Sequence, residues 1–484
     1  MNYGQFLNMF PEVYLTGILL LVFFWDVITC KTNAEDDRPS HRELFNPLVV
    51  LLMTAYVVAL FFTSSSDAFG GMYISTEAIH VMKIILGVGT VIVLIQSRKW
   101  ITESLVNGQN GHKEGEFYML VISTLLGMNM MMSAGHFLMF FLGLEMASVP
   151  MACLVAFDRR QKSAEGAAKY ILVATFSSGI MLFGISFIYA ACGTLYFTNV
   201  AELVSIKPLS IMGLLFFFSG LGFKISLVPF HFWTADTYEG APTTVTGYLS
   251  VISKGAAAFT LCTILMKVFQ PMVEYWEMML YIVIVLSITI ANLFAIRQSD
   301  LKRFMAFSSI SQAGYIMLAV VGNNALGVTA LMYYTLIYVV ANLAVFTVIA
   351  AVEERNAGRT DMDAYNGFYR TNPRLSFLMT LALFSLAGIP PFAGMFSKFF
   401  VFMAAAEQGS FGAYFVVFVA LINTVVSLYY YLLIVKAMYI KGADNPLPTF
   451  MSDLNTKLAL ALCTAGIVLF GVCSFIYDWL FVAV

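Results

Sequence analysis

Apolar runs of about twenty residues recur from one end of the chain to the other, and each is long enough to cross roughly 30 Å of hydrocarbon as a helix. The pattern predicts about fourteen such spans. They begin near Val13, Asn46, Ala78, Phe117, His136, Tyr170, Leu209, Pro242, Leu280, Lys302, Leu326, Leu375, Phe411 and Leu458. The first run, VYLTGILLLVFFWDVITC, is too long for a signal-peptide core, with no basic stretch before it and no A-x-A site after it. It is expected to stay as the first span. The connections are short, and none is rich enough in Pro, Gly or Ser to set off a soluble domain, so residues 1–484 read as one all-α polytopic membrane domain.

Two of the runs are interrupted. Pro229 lacks a backbone donor and clashes with the preceding turn, which breaks the seventh span just after Lys224. In LFSLAGIPPFAGMFSKFFVFM, Gly388, Pro390, Pro391 and Gly394 break the twelfth span just before Lys398. Backbone freed inside a bilayer is tolerated only against protein or water, and paired broken helices point to a transport path. The breaks lie five spans apart, which predicts two five-helix repeats, helices 4–8 and 9–13. The odd number makes them inverted relative to each other. The layout is then helices 1–3 in residues 1–116, a first repeat in 117–270, a second in 275–440, and helix 14 in 441–484.

Composition agrees: 60% of residues are hydrophobic and 11% charged, where soluble domains sit near one half and one quarter. Formal net charge is -2, which argues against a nucleic-acid partner. The six cysteines, Cys30, Cys153, Cys192, Cys262, Cys463 and Cys473, include no C-x-x-C pair. Disulfide, zinc and iron-sulfur readings therefore lack support, and small apolar packing is expected. No phosphate loop, dinucleotide fingerprint or nucleophile elbow is present. With the N-terminus outside, the inner connections collect nearly all basic residues, from Lys31, Arg38 and Arg42 through Arg160, Lys302 and Arg359 to Arg374, Lys441 and Lys457. The outer ones hold only Lys207 and Lys267. By the positive-inside rule both termini are expected on the outer side.

The remaining lysines lie inside spans. A charge at mid-bilayer costs about 2.5 to 3.5 kcal/mol on insertion scales, so such residues face a protein interior and mark ion pathways. Lys436 and Lys169 sit near inner span ends, where snorkelling is a sufficient reading. Lys83 shares a helical face with His80 and Glu77, which suggests a local structural cluster. Lys224, Lys254 and Lys398 are deeper and lie beside or between helix breakers. Counting from Pro242 at 1.5 Å per residue puts Lys254 roughly 18 Å into its span. Glu145, in FLGLEMASVP, falls near mid-span and is the evident carboxylate partner for Lys224; a static ion pair is the purely structural alternative. Burial lowers a lysine pKa and a nearby carboxylate raises it, so moving the carboxylate switches whether the lysine holds its proton.

Taken together, GFKISLVPFHFWTADTYEGAP, VISKGAAAF, FLGLEMASVP, DLKRFMAFSSISQAGY and SLAGIPPFAGMFSKFFVF resemble the N-type antiporter-like subunits of proton-pumping NADH-quinone oxidoreductase, respiratory complex I. The resemblance covers spans four to thirteen. The W-T-x-D-x-Y-x-G-A-P pattern is similar to N rather than to the L and M subunits. It implies a proton path of Glu145, Lys224, Lys254 and Lys398, with His231 on the input or connecting route and Lys169 matching a lysine of the family. It also implies that NADH, FMN, iron-sulfur clusters and quinone belong to other subunits, with no cofactor or metal bound here. The implied partners are M, L and K type membrane subunits and membrane lipid, and the implied location is a bacterial inner membrane. Gln312 stands where family members often carry His, and glutamine does not titrate. Competing readings are a subunit of a sodium/proton antiporter or membrane-bound hydrogenase, a non-conducting structural subunit, and a solute transporter. Sodium dependence separates the first, an unaffected Lys254→Ala variant the second, and polar recognition groups at the breaks the third.

Overall fold

A computed structural model describes residues 3–29, 44–106, 113–442, 446–473 and 475–484. The first half runs through α1 (Phe10–Thr29), α2 (Phe45–Leu60), α3 (Glu77–Val106), α4 (Glu114–Met132), α5 (Phe137–Val155), α6 (Gln161–Cys192) and α7 (Phe197–Leu203). It continues with α8 (Pro208–Ile225), α9 (Phe232–Gly240), α10 (Thr243–Tyr248) and α11 (Lys254–Lys267). The second half holds α12 (Val273–Ala295), α13 (Leu301–Val321), α14 (Ala325–Arg355), α15 (Phe368–Thr371), α16 (Pro373–Ala387) and α17 (Ala393–Glu407). Last come α18 (Phe411–Tyr439), α19 (Leu454–Val472) and α20 (Phe475–Val482). Among the described residues, 12 helices are long and apolar enough to cross a membrane, with Phe45–Leu60 and Pro373–Ala387 as shorter apolar helices.

Most helices start where the hydropathy pattern places them, but α6 begins nine residues before Tyr170 and α12 seven before Leu280. Helical hydrogen bonding does not stop at the edge of an apolar run. The extra turns of α6 carry Lys162, Glu165 and Lys169. One hairpin, β1 (Ser66–Ala68) with β2 (Tyr73–Ser75), joins α2 to α3 around Gly70 and Gly71, both with positive φ. The short helix α20 was also not foreseen; its Tyr477 stacks on Phe400 at 3.8 Å. Cys30, Lys31, Arg38 and Arg42 lie outside the described residues.

Helices sort by shelter. The span Leu301–Val321 is 100% buried and Ala325–Arg355 89%, whereas the windows on α18 and α19 are 28% buried and the first span 22%. Phe411 and Phe418 of α18, and Phe62 just after α2, are exposed on the outside of the bundle. Small residues set the closest crossings: a Cβ on Gly127 of α4 would fall 2.5 Å from the Ala147 nitrogen of α5. The basic residues Lys99, Arg160, Lys162, Lys302 and Arg359 border cavities at one end of the bundle.

Both breaks occur where expected, and neighbours satisfy the backbone they release. Helix α8 ends in Ser226 at φ +67°, after which Trp233 Nε1 donates to the Phe223 carbonyl (3.2 Å) and Ser287 Oγ accepts from the Val228 amide (2.9 Å). Helix α16 ends in Gly388 at φ +87°. There Lys398 Nζ donates to the Ala387 carbonyl (2.9 Å) and Gln312 Nε2 to the Leu386 carbonyl (3.3 Å).

Candidate functional site: a buried row of lysines

Lys224 is the last basic residue of α8 and is 3% exposed. Its Nζ donates to Ser148 Oγ and to Tyr170 Oη, each at 2.9 Å. The expected contact with Glu145 is not made: Glu145 and Lys224 form no ion pair. Ser148 lies one turn beyond Glu145 on α5 and takes the ammonium instead, leaving Glu145 partly exposed beside it. Hydroxyls, not a carboxylate, solvate this charge.

Lys254 is 1% exposed and opens α11 directly after a π-helical turn, Leu249–Ser253, that joins it to α10. Its Nζ meets Ser309 Oγ of α13 at 2.5 Å and lies 5.3 Å from the centre of the Tyr238 ring. Tyr238 Oη also reaches Ser309 Oγ, at 3.1 Å. The π turn is the kind of irregularity found at functional sites. Its Ser250 accepts from Asn342 Nδ2 of α14 at 2.6 Å.

Lys398 is 4% exposed, on α17, with its Nζ 5.0 Å from the Tyr315 ring centre. It lines a cavity of about 10 Å³ shared with Gln312, Tyr334, Tyr338 and Ser385, close to the lower limit for one water. Gly388 makes room for it: a Cβ there would stand 3.0 Å from Lys398 Cδ.

Hydroxyls and one amide fill the interval between Lys254 and Lys398. Ser308 Oγ meets Tyr431 Oη at 2.5 Å, Gln312 Nε2 donates to Tyr431 Oη at 3.2 Å, and Tyr334 Oη donates to Gln312 Oε1. Tyr338 Oη is buried without a hydrogen-bond partner and lines the Lys398 cavity. Between Lys224 and Lys254 stand aromatic rings, Tyr170 against Trp233 at 5.1 Å and Trp233 against Tyr238 at 6.5 Å. His231 immediately precedes α9 without capping it through its side chain, is 9% exposed and has Nδ1 unpartnered; none of its hydrogen bonds reaches a lysine of the row.

Lys169 is in a surface network. Its Nζ lies 2.7 Å from both Glu165 and Asp236. Asp236 and Glu239 of α9 each bind Arg303 of α13 at 2.7 Å, and Glu239 binds Lys162 at 2.9 Å. Sequence reasoning missed Asp236, Glu239 and Arg303. The i, i+3 spacing of the two acids in TADTYE, which puts them on one helix face, is the signal that was available. Lys302, read as a connection residue, is instead 3% exposed and donates to the Ala241 carbonyl at 2.6 Å, at the foot of α10. Beside it, Asp158, Arg160, Glu353 and Gly358 border two adjoining cavities of about 280 and 250 Å³. Burial pushes the Asp158 carboxyl above the usual carboxylate range, against the pull of Arg160. Lys83, read with His80 and Glu77, pairs instead with Glu12 of α1 at 2.7 Å, and Tyr73 Oη donates to the same carboxylate at 2.8 Å. Glu12 is 71 positions away in the chain, beyond any local pattern.

A sheltered row of buried lysines, flanked by two broken helices and hydroxyl-rich contacts within a bundle of membrane-length helices, places the chain in the antiporter-like class of membrane proteins. Residues 134–427 match the family NADH:quinone oxidoreductase/Mrp antiporter, transmembrane region, and so include Glu145, Lys224, Lys254 and Lys398. The chain is 54% identical over 481 residues to the NADH-quinone oxidoreductase subunit N of Phocaeicola vulgatus, covering 99% of each. It is 47% identical to the subunit N of Azobacteroides pseudotrichonymphae, over 99% of this chain and 98% of the relative. Its fold matches a chain in the structure of respiratory complex I from Thermus thermophilus with bound aureothin, with TM-score 0.79 and 27% identity over 97% of this chain and 98% of that one. The protein belongs to the NADH:quinone oxidoreductase/Mrp antiporter family and, within it, to the N-type subunits of NADH-quinone oxidoreductase.

Proposed function

We propose that this chain is the N-type proton-translocating subunit of a bacterial NADH-quinone oxidoreductase, and that protons cross it along the lysine row. The observation that carries the reading is that Lys224, Lys254 and Lys398 are each 4% exposed or less and meet hydroxyls and carbonyls rather than carboxylates. A lysine so placed is solvated by dipoles alone, with no carboxylate to fix its charge. A modest change of field then moves the proton.

Protons are collected in the cavities around Asp158, Glu353 and Lys302 and reach Lys254 along α10. They pass through Ser309, Tyr338, Tyr431 and Gln312 toward Lys398, whose helix continues to the opposite end of the bundle. Glu145 lies one helical turn from the Ser148 contact of Lys224 and supplies the field that loads and unloads that lysine. Gln312 takes part by orienting hydroxyls and water, with Tyr334 and Tyr431 as its partners. Lys169 fastens α6 to α9 through Asp236 at the base of the broken helix, and His231 stands on the connecting route. NADH oxidation, FMN, the iron-sulfur clusters and quinone reduction are assigned to other subunits, and M, L and K type subunits are the expected neighbours. The basic end of the bundle faces the cytoplasm, with both termini outside, and residues 117–270 and 275–440 act as inverted repeats.

The test uses inside-out membrane vesicles carrying Lys254→Ala, Lys398→Ala, Lys224→Ala or Glu145→Ala, with proton uptake and quinone reduction recorded together after assembly is verified. Loss of both activities in assembled complexes is expected for the lysine variants. Unchanged uptake in all four would make the buried charges structural and end the channel reading.

A further inference from the structure

The inner ends of α16 and α19 enclose a groove of about 600 Å³ that plays no part in the lysine row. Its walls are Leu375 and Leu378 of α16, Leu460 and Ala461 of α19, and Phe450 from the segment between α18 and α19. Two cations stand at its mouth, Arg374 and Lys457, and no Asp or Glu lines it among the described residues. Among the described residues neither cation has an ion pair or a side-chain hydrogen bond, in contrast to Lys162, Lys169 and Arg303 at the same end of the bundle. Thr456, the residue before Lys457, borders the cavity that holds Lys99 and Arg160, which fixes the groove at the basic end. Helix α19 is among the least sheltered, and Leu454, Leu458 and Phe377 nearby face outward at 77%, 48% and 55% exposure.

We propose that this groove binds an anionic phospholipid, its phosphodiester held by Arg374 and Lys457 and an acyl chain laid against Leu375, Leu378, Leu460 and Ala461. The chemistry follows from the two halves of the site. A guanidinium and an ammonium without carboxylate partners at a membrane interface attract phosphate, the first with two parallel hydrogen bonds. A slot with leucine walls that opens between helices poorly sheltered within this chain takes hydrocarbon. Basic pockets between membrane helices on the cytoplasmic side are suited to anionic headgroups. A soluble phosphate would use the rim and leave the apolar length of the slot unfilled, so the lipid is the occupant that fits both parts. The inference does not depend on the proton route.

The test compares the purified full-length chain with Arg374→Gln/Lys457→Gln and, separately, Ala461→Phe, which fills the slot and keeps both charges. Native mass spectrometry after exposure to mixed micelles of phosphatidylglycerol and phosphatidylcholine reads bound lipid. Wild type is expected to retain phosphatidylglycerol over phosphatidylcholine, the double variant to lose that preference by about tenfold, and Ala461→Phe to lose bound lipid with its charges intact. Lys441→Gln, a basic residue outside the groove, should change nothing. Equal retention of the two lipids by wild type, or undiminished preference in both groove variants, would overturn the proposal. So would a photo-crosslinker at Leu378 that, in the assembled complex, captures a neighbouring subunit instead of lipid.

Discussion

Lys83 and Glu12 show how much a single side chain's meaning depends on what folding brings to it. Both are buried, with side-chain exposures of 0% and 4%, and they join α3 to α1. Removing one partner of such a pair leaves an uncompensated charge and costs about 3–5 kcal/mol, whereas removing both can be close to neutral. Glu12→Gln is therefore expected to lower the thermal midpoint of the solubilised protein sharply, and Glu12→Gln/Lys83→Met to recover most of it. A double variant no more stable than Glu12→Gln would show that the pair is not the source of the loss. Asp158 gives a pH dependence of definite sign. Its carboxyl is raised by burial, so its ionisation disfavours the folded state, and the penalty grows as pH rises above the unfolded value of about 3.9. Asp158→Asn should thus gain in thermal midpoint relative to wild type between about pH 4 and 7; a gap that narrows on raising the pH would contradict this. The burial of Lys224, Lys254 and Lys398 was legible in the sequence because a lysine inside an apolar run has a large cost that only a sheltered, polar contact can offset. Ser309, Tyr338 and Tyr431 were not, since hydroxyls occur in any membrane helix and only packing shows that Ser309 meets Lys254, that Tyr431 meets Ser308 and Gln312, and that Tyr338 lines the Lys398 cavity.

The two broken helices are the elements on which the site depends. Their existence followed from Pro229 and Pro390, but not the means by which the freed groups are satisfied. Trp233, Ser287 and Gln312 do that from positions far away in sequence or around a turn. At the second break α17 crosses α16 so closely that a Cβ on Gly394 would fall 1.6 Å from the Ser385 carbonyl oxygen. Gly394→Val cannot be accommodated without separating the half-helices, which would carry Lys398 away from the Ala387 carbonyl. The expected result is an assembled complex with proton uptake reduced as far as in Lys398→Ala, or failed assembly; normal uptake would show that the break tolerates a different crossing. The π turn before Lys254 left no trace in the hydropathy pattern, because VISKGAAAF continues an apolar helix without any breaker. The β1–β2 hairpin was in principle readable from the two glycines of DAFGGMYIS, but it lay between spans whose helical signal dominated.

For the molecule as a whole, the hydropathy pattern gave the order of the long apolar segments, about fourteen of them against 12 helices long enough to span and two shorter apolar ones among the described residues, and basic residues set only an expected polarity. What it did not rank was shelter. Every helix looked equally apolar, yet α11, α13 and α14 are enclosed by the others and hold or touch the lysine row. That ranking comes from which helices pack on which, information carried by small residues such as Gly127, Gly143 and Gly184 only in pairs. Orientation is testable at this scale: peptide tags at either terminus of the full chain should be cleaved by protease added to right-side-out vesicles and protected in inverted ones, and the reverse result would invert the assignment of cavity and groove. The chain has five tryptophans, and only Trp233 ties its indole to a carbonyl released by a break. Replacing Trp25, Trp100, Trp276 and Trp479 with phenylalanine would leave that ring as the chain's single tryptophan, excited apart from its 24 tyrosines at the red edge of the absorption band. Its emission colour would shift whenever the half-helices part or water reaches the Phe223 carbonyl, so the working protein contains its own optical gauge of the state of the first break.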